Sequence, residues 1–451
     1  GNTSDAAGRS STSSKVNPSI ANFSSSAGKE NREEVMRNDT SGSLVTGALV
    51  VYRMRYDRSG MADFQQQGSI TTLHRLVDSD SAEVSRFFAE RDVGKRVALI
   101  LPCLISEFRG TALPRIIDQI SELEWLGRII VGVDGADRDS FEAARALITQ
   151  LPQPTTTVWN DDDAMKALDR NLGIAAGSGK GRNLWRSVGV AAGFGEVDTI
   201  VVHDADISTY ESSFIARLAR PIVDDRLGFD FVKGFYPRFD SEGLNGRVTR
   251  LLVGPLLESL ISSEPDNEDL RYLASFRYPL AGEFASRISV AQSIPMPEHW
   301  GVDISLLVAV KALGAAIAQT DLTDRYDHKH QLLSADNAQS GLHRMAGDVI
   351  GTLLSIAGTD VIDANMFDEK LQHAASAHRA NAISNGIPAN EGQELVAGKL
   401  FSQLIRESRA VLPPDLPSWD QLCCDFPDCI QDLAGIVDSQ NTSPGAMSSS
   451  P

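Results

Sequence analysis

The sequence is short of cysteine, of aromatic residues, of positive charge and of long apolar runs. Only four of its 451 residues are cysteine, and three of these, Cys423, Cys424 and Cys429, crowd into CCDFPDC. Cys103 stands alone far upstream, so no secreted disulfide framework is expected. No histidine lies near enough to that segment to complete a tetrahedral zinc set, and the thiols read as reduced. No apolar run approaches the ~18 residues that a membrane-spanning helix needs. The longest, ISLLVAVKALGAAIA from Ile304, is broken by Lys311 and reads as a core helix. A formal charge of −18 excludes broad nucleic-acid binding, which requires a cationic footprint for the phosphates. An anionic substrate stays accessible, but only through a local cluster of Arg, Lys and metal. No basic stretch followed by an apolar one opens the chain, so no signal peptide is read there and a cytoplasmic location is expected.

What is present is ordinary for a globular protein: 42% hydrophobic and 23% charged residues. Residues 1–43, rich in Ser, Asn, Gly and Thr, cannot bury enough surface to offset their ordering entropy and read as disordered. Residues 44–95 read as a helical lead-in, with helical spacing from Gly68 to Asp92, and residues 439–451 as a second disordered tail. From Arg96 the pattern changes. RVALILP, RIIVGVD, TTTVWN and DTIVVHDAD have strand length, and amphipathic helical segments lie between them. This alternation specifies an α/β unit with a mostly parallel central sheet over residues 96–240. Residues 241–334 are more irregular. DFVKGFYPRF, just before them, reads as a strand. GRVTRLLVGPLLESLI reads as a helix interrupted at Pro255, and SFRYPLAGEFASR as a turn-rich stretch. A helical region over 335–438 closes the fold.

Five places carry chemistry. Asp204 and Asp206 follow the apolar strand directly, and acids at i and i+2 on an extended segment face the same side. They can share one hard divalent cation, Mg²⁺ or Mn²⁺, which also binds phosphates; the competing reading is a solvated strand-end turn. GSGKGRNLW, from Gly177, sets glycines around Lys180 at a helix start. Ile174 and Gly181 stand where an ATPase P-loop needs Gly and Ser or Thr, so that chemistry is disfavoured, while a diphosphate still suits the loop. DRYDHKH, from Asp324, gathers Arg325, His328, Lys329 and His330, and an imidazole there can complete a transition-metal coordination set. Arg247 and Arg250, one helical turn apart, can fork a carboxylate or phosphate, with a salt-bridged helix face as the alternative. Glu283, in a turn-forming stretch, reads as a hydroxyl-orienting or structural carboxylate.

With LPCLISE, VGVDGAD, GKGRNLW, VVHDADI, VKGFYPR, LNGRVTRLLVGPLL, SFRYPLAGEF, WGVDISLL and DRYDHKHQ in series, the chain resembles the retaining glycosyltransferases of the glucosyl-3-phosphoglycerate synthase and glucosylglycerate synthase family. MADFQQQGSITTLH, from Met61, looks like a family N-terminus, so residues 1–60 are expected to be an extension. The resemblance implies a GT-A-like (Rossmann-like) nucleotide-sugar transferase fold with a helical C-terminal part. It implies a nucleotide pocket lined by Pro102, Leu104, Glu107 and Asp134, and Lys180 on the base or diphosphate side. Asp206 and His328 would hold the metal, and Asp204 would face the sugar or ribose. Arg247, Arg325, His330 and Gly282 would meet the acceptor side, and Glu283 the transferred sugar, with Glu283, Lys180 and Asp206 as the catalytic set. HKH stands where His-Arg-Asn is expected of synthases acting on 3-phosphoglycerate, which leaves the acceptor open. The implied reaction moves glucose from UDP- or GDP-glucose to D-glycerate or 3-phosphoglycerate, with a homodimer as the expected assembly. A mannose nucleotide donor, another small acceptor, or a non-catalytic nucleotide-sugar-binding protein would fit the same residues.

Overall fold

The structure, a computed structural model, describes residues 70–76, 81–328, 341–407 and 412–442. The chain opens with β1 (Thr71–Leu73), α1 (Ser81–Glu90), β2 (Val97–Leu104), α2 (Ala112–Ser121), β3 (Arg128–Asp134), α3 (Arg138–Ile148) and β4 (Thr155–Trp159). It continues through α4 (Asp163–Asn171), α5 (Lys180–Gly193), β5 (Thr199–Val202), α6 (Ser213–Val223) and β6 (Phe231–Phe235). Then come α7 (Gly254–Ser263), α8 (Glu268–Leu273), β7 (Phe284–Arg287), α9 (Ile288–Gln292), α10 (Val302–Ala312) and β8 (Ile317–Asp321). The helical end comprises α11 (Gly341–Ala357), α12 (Ala364–Ser384), α13 (Glu391–Glu407), α14 (Trp419–Asp425) and α15 (Cys429–Asn441).

VALILP, apolar throughout, forms most of β2 because both of its faces are covered. Ala98 and Ile100 enter the core on one side of the sheet, and Val97, Leu99 and Leu101 the core on the other. That is the period of two expected of a strand buried on both faces. The eight strands lie in the order β1-β8-β6-β7-β5-β2-β3-β4. Every neighbouring pair is parallel except those of β7, which runs antiparallel to both β5 and β6. The mostly parallel, GT-A-like sheet with a helical C-terminal part is therefore present. The regions 96–240 and 241–334 share this one sheet, since β7 of the second inserts between β5 and β6 of the first. Its C-terminal strand ends gather ligand-facing loops along one edge, as open α/β sheets do.

Several elements differ from the sequence reading, each for a local reason. Residues 71–73, expected within a helical lead-in, form β1, held parallel on β8 with Thr71 opposite Ala318. Pro255 does not interrupt its helix. Pro255 lies within one continuous helical run, and the π-helical turn over Thr249–Val253 immediately before it is where the regular α-helical bonding is broken to accommodate the missing N–H. PLAGEFASR, read as turn-rich, ends in β7. Glycine and proline precede the strand and mark the turn into it. Helix α4 was not foreseen; Asp162 caps it by accepting from the Ala164 N–H. The tail expected from residue 439 is still α15 up to Asn441. Its amides replace a neighbouring strand along β4: Asn441 Oδ1 accepts from the Thr157 N–H, and Gln440 Oε1 from the Trp159 N–H. Residues 1–69 and 443–451, including most of the two expected disordered segments, lie outside the described residues.

Candidate active site

A cleft of about 580 Å³ opens at the C-terminal ends of β2, β3 and β5. A larger cavity of about 780 Å³ lies between α12 and α13. It lacks the cluster of acids, imidazole and lysine described next, so the chemistry belongs to the smaller cleft. Strand β5 ends at Val202, and the following residues turn rather than extend, so Asp204 and Asp206 converge through a turn instead of through strand alternation.

His328 arrives from a segment remote in sequence. The backbone of Ile207 bridges that of His328, and the Ser208 N–H donates to Asp327 O at 2.9 Å. The Asp327 N–H returns to Thr209 Oγ1 at 2.9 Å. Stitched in this way, Asp204, Asp206 and His328 each present a ligand atom within 4.8 Å of the others. Nδ1 of His328 stands 3.4 Å from Asp206 Oδ1 and has no hydrogen-bond partner among the described residues. Two carboxylates and an imidazole suit Mn²⁺ or Mg²⁺. The donor set fits the implied metal.

Lys180 starts α5 directly after Gly179, whose φ of 149° suits glycine and whose absent side chain leaves room for the Glu298 carbonyl. The helix is fixed by a buried ion cluster: Arg182 and Arg186 both hold Asp169, and Arg182 also holds Glu298. Arg182 is thereby an anchor, leaving Lys180 to enter the cleft. Its Nζ lies 3.0 Å from Asp204 Oδ1 and 3.2 Å from Asp303 Oδ2. Burial works against the Lys180 ammonium, but Asp204 and Asp303 outweigh it and hold its pKa above the usual lysine range. Burial likewise opposes charge on Asp204, and Lys180 followed by His328 brings its pKa below the usual value. His203, fully buried, is pushed down to about 3 by desolvation and stays neutral, its Nδ1 2.9 Å from the Tyr210 hydroxyl.

Pro102, Leu104, Glu107 and Asp134, which the resemblance implies for the nucleotide, line one side of the cleft. Burial pushes Asp134 up to about 6, against hydrogen bonds from Asn183 and Asn160. On the opposite side Arg247 faces the cleft and donates to Gln393 Oε1 at 3.0 Å. Arg250 turns away. It holds Glu394 at 2.5 Å and the carbonyls of Leu244 and Asn245, so the salt-bridged reading applies to it.

The chain is 30% identical over 406 residues to the glucosyl-3-phosphoglycerate synthase of Persephonella marina, covering 85% of this chain and 100% of that relative. The chain belongs to the glucosyl-3-phosphoglycerate synthase family. The family's member from Methanococcoides burtonii is 31% identical over 396 residues, covering 82% of this chain and 96% of its own. No family model matches the chain. A crystal structure of the Mycobacterium tuberculosis synthase in complex with Mn²⁺ and uridine-diphosphate-glucose aligns with a TM-score of 0.48 and 27% identity, covering 65% of this chain and 88% of that one. The same enzyme in complex with Mn²⁺, uridine-diphosphate and phosphoglyceric acid aligns at 0.47 with 28% identity, covering 64% and 87%. As a member of this family, the chain is a glycosyltransferase.

Most residues singled out by the resemblance to glucosyl-3-phosphoglycerate synthases line this one cleft, Gly282 among them. Three do not. Glu283 is completely buried beneath the floor and off the cleft wall. It accepts from the hydroxyls of Tyr236 at 2.5 Å and Tyr326 at 2.7 Å, immediately behind the cleft wall. Burial, then the nearby Asp204, raises its pKa. Arg325 is exposed, outside the cleft lining, with its guanidinium over Phe239. Its segment is extended, and Tyr326 and His328 take the inner face that Arg325 therefore cannot share. His330 lies outside the described residues. The sequence reading missed Trp300, Asp303, Arg238 and Arg344, all on the cleft wall. For Asp303 a signal existed: an acid set inside the apolar run WGVDISLL is costly unless paired.

Proposed function

We propose that the chain transfers glucose from a nucleoside-diphosphate glucose to the 2-hydroxyl of 3-phosphoglycerate or glycerate, with a divalent ion held by Asp204, Asp206 and His328. The observation that carries this reading is the convergence of those three ligand atoms within 4.8 Å at one end of a cleft. When bound, the ion supplies Lewis-acid neutralisation of charge on the departing diphosphate. Lys180 supplies a fixed positive charge beside it, already desolvated and ion-paired, so little reorganisation accompanies the reaction. Arg247 presents a guanidinium whose only described hydrogen-bond partner is the neutral Gln393, leaving its charge for an acceptor carboxylate or phosphate. Glu283 acts beneath the floor as a positioning group. It accepts from the Asp204 backbone N–H at 3.5 Å and braces the turn that presents both acids.

Uridine-diphosphate-glucose as donor and 3-phosphoglycerate as acceptor are the choice that the relatives' bound ligands favour. A cytoplasmic location, retention at the anomeric carbon and a homodimeric state belong to the same reading. For the first, four free thiols, with Cys423 and Cys429 sulfurs 3.4 Å apart and unbonded, support a reducing compartment. The test is a product assay with UDP- and GDP-glucose, each offered with glycerate and with 3-phosphoglycerate, repeated for Asp206→Ala. Wild-type turnover with none in the variant is expected. Undiminished, metal-dependent transfer by Asp206→Ala would end the metal assignment.

A further inference from the structure

The cleft contains a further acid, Asp303, that belongs to no element of the reaction described so far. It sits in the first turn of α10 with its side chain 4% exposed, a degree of burial that a carboxylate tolerates only when paired. Its partner is Lys180, at 3.2 Å, the same ammonium that lies 3.0 Å from the metal-site carboxylate Asp204. Behind it, Lys233 enters from β6, 1% exposed, and donates to the Asp303 backbone carbonyl at 3.4 Å. Three acids (Asp204, Asp303 and Glu283) thus face two lysines (Lys180 and Lys233) in one buried group.

We propose that Asp303 is a positioning residue that shares Lys180 with Asp204, so that Lys180 stays in the cleft without closing Asp204 to a divalent ion. The reasoning is competition for one carboxylate. An ion that takes an Asp204 oxygen weakens that oxygen's attraction for Lys180. Asp303 already stands at ion-pair distance as the alternative counter-ion, and no rearrangement is needed. Without the Asp303 charge, Asp204 would be the sole acid at ion-pair distance from a buried ammonium, and a divalent ion would have to displace a full ion pair. The Trp300 ring, 5.8 Å from Lys180 Nζ, closes another side of the lysine's surroundings. This inference rests on the metal reading given above.

The test is Mn²⁺ binding to the full chain without substrates, by calorimetry or by loss of the free-ion paramagnetic signal. Asp303→Asn is expected to weaken Mn²⁺ binding by about tenfold, within the range of coupling between residues in direct contact. In a Lys180→Gln background the same substitution is expected to change the affinity less than about threefold, because the group it restrains is gone. Asp303→Glu is expected to restore most of the wild-type affinity. Thermal melts accompany each variant, and the doubly neutral Lys180→Gln/Asp303→Asn chain removes the buried pair as a unit, which protects its fold. A lowered melting temperature with wild-type Mn²⁺ affinity in Asp303→Asn would overturn the proposal as a purely structural effect. An equal loss with and without Lys180 would overturn it as a general loss of negative charge. Equal Mn²⁺ binding by wild type and Asp206→Ala would instead overturn the metal reading, and this proposal with it.

Discussion

Gly282 offers a direct way to move one metal-site carboxylate without deleting it. A methyl carbon at this position would stand 2.5 Å from Asp204 Cγ and 2.6 Å from Oδ1. Ordinary carbon contacts need roughly 3.5–4.0 Å, so the carboxyl must retreat by roughly 1 Å. Gly282 is not among the glycines with positive φ, so alanine adds no backbone strain and the effect falls on Asp204. Holding that side chain about 30° off its rotamer costs about 0.5–1.5 kcal/mol, or roughly two- to tenfold in Mn²⁺ affinity. Misplacing a reacting group by about 1 Å costs about a hundredfold in rate, and kcat/KM for Gly282→Ala is expected to fall by that much. The assay pairs Mn²⁺ titration with initial rates on the best donor and acceptor, alongside a thermal melt that should move little. Wild-type Mn²⁺ affinity together with wild-type turnover would refute the reasoning. So would a loss of turnover with Mn²⁺ affinity unchanged, since the damage would then lie elsewhere.

Asp134 supplies a prediction in pH. Its carboxyl is pushed up to about 6 by burial, whereas an unfolded aspartate titrates near ~3.9, so charging it costs the fold stability as pH rises from about 4 to about 6. That penalty is absent below the window and complete above it, about 3 kcal/mol for about two units. Asp134→Asn is expected to be more stable than wild type at pH 7 by up to that amount and nearly equal at about pH 3, read from urea midpoints; a pH-independent difference would count against it. Arg344 is exposed on the cleft wall and has no ion pair among the described residues. Arg344→Ala is expected to raise KM for 3-phosphoglycerate about tenfold, the worth of one charged hydrogen bond, and to leave KM for glycerate within about twofold. Equal effects on both acceptors would remove Arg344 from phosphate recognition.

The site was legible where composition departs from its surroundings: two acids ending an apolar strand, a lysine among glycines, two imidazoles in one loop. Such patterns announce chemistry because each is costly without a partner. Depth was not legible. PLAGEF shows that Glu283 is there but not that Tyr236 and Tyr326 lie over its oxygens and bury it completely. Nor could the spacing of Arg247 and Arg250 show which would face the cleft. That depends on α13, which supplies Gln393 to the first and Glu394 to the second from some 140 residues downstream. The same limit hid β1. Its three residues are a strand only because β8 offers an edge.

The meeting of Asp206 with His328 follows from how the chain crosses the sheet. β5 and β8 are separated by β7 and β6, three spacings or roughly 14 Å. The stretch from Leu322 to His328 spans that gap when extended, reaching about 20 Å at roughly 3.3 Å per residue. It is pinned along the way: the Leu322 N–H to Phe235 O at 3.1 Å, the Tyr326 N–H to Pro237 O at 3.0 Å, then the Ile207–His328 bridge. Tyr326 and His328, two apart, take the same inner side with ring centroids 5.7 Å from each other. One of them reaches down to Glu283 and the other out to Asp206. A slip of one residue in this crossing would exchange Tyr326 and His328 for Arg325 and Asp327, losing the floor and the imidazole together. The buried tyrosine beneath the cleft is thus what fixes the register of His328, the proposed metal ligand, above it.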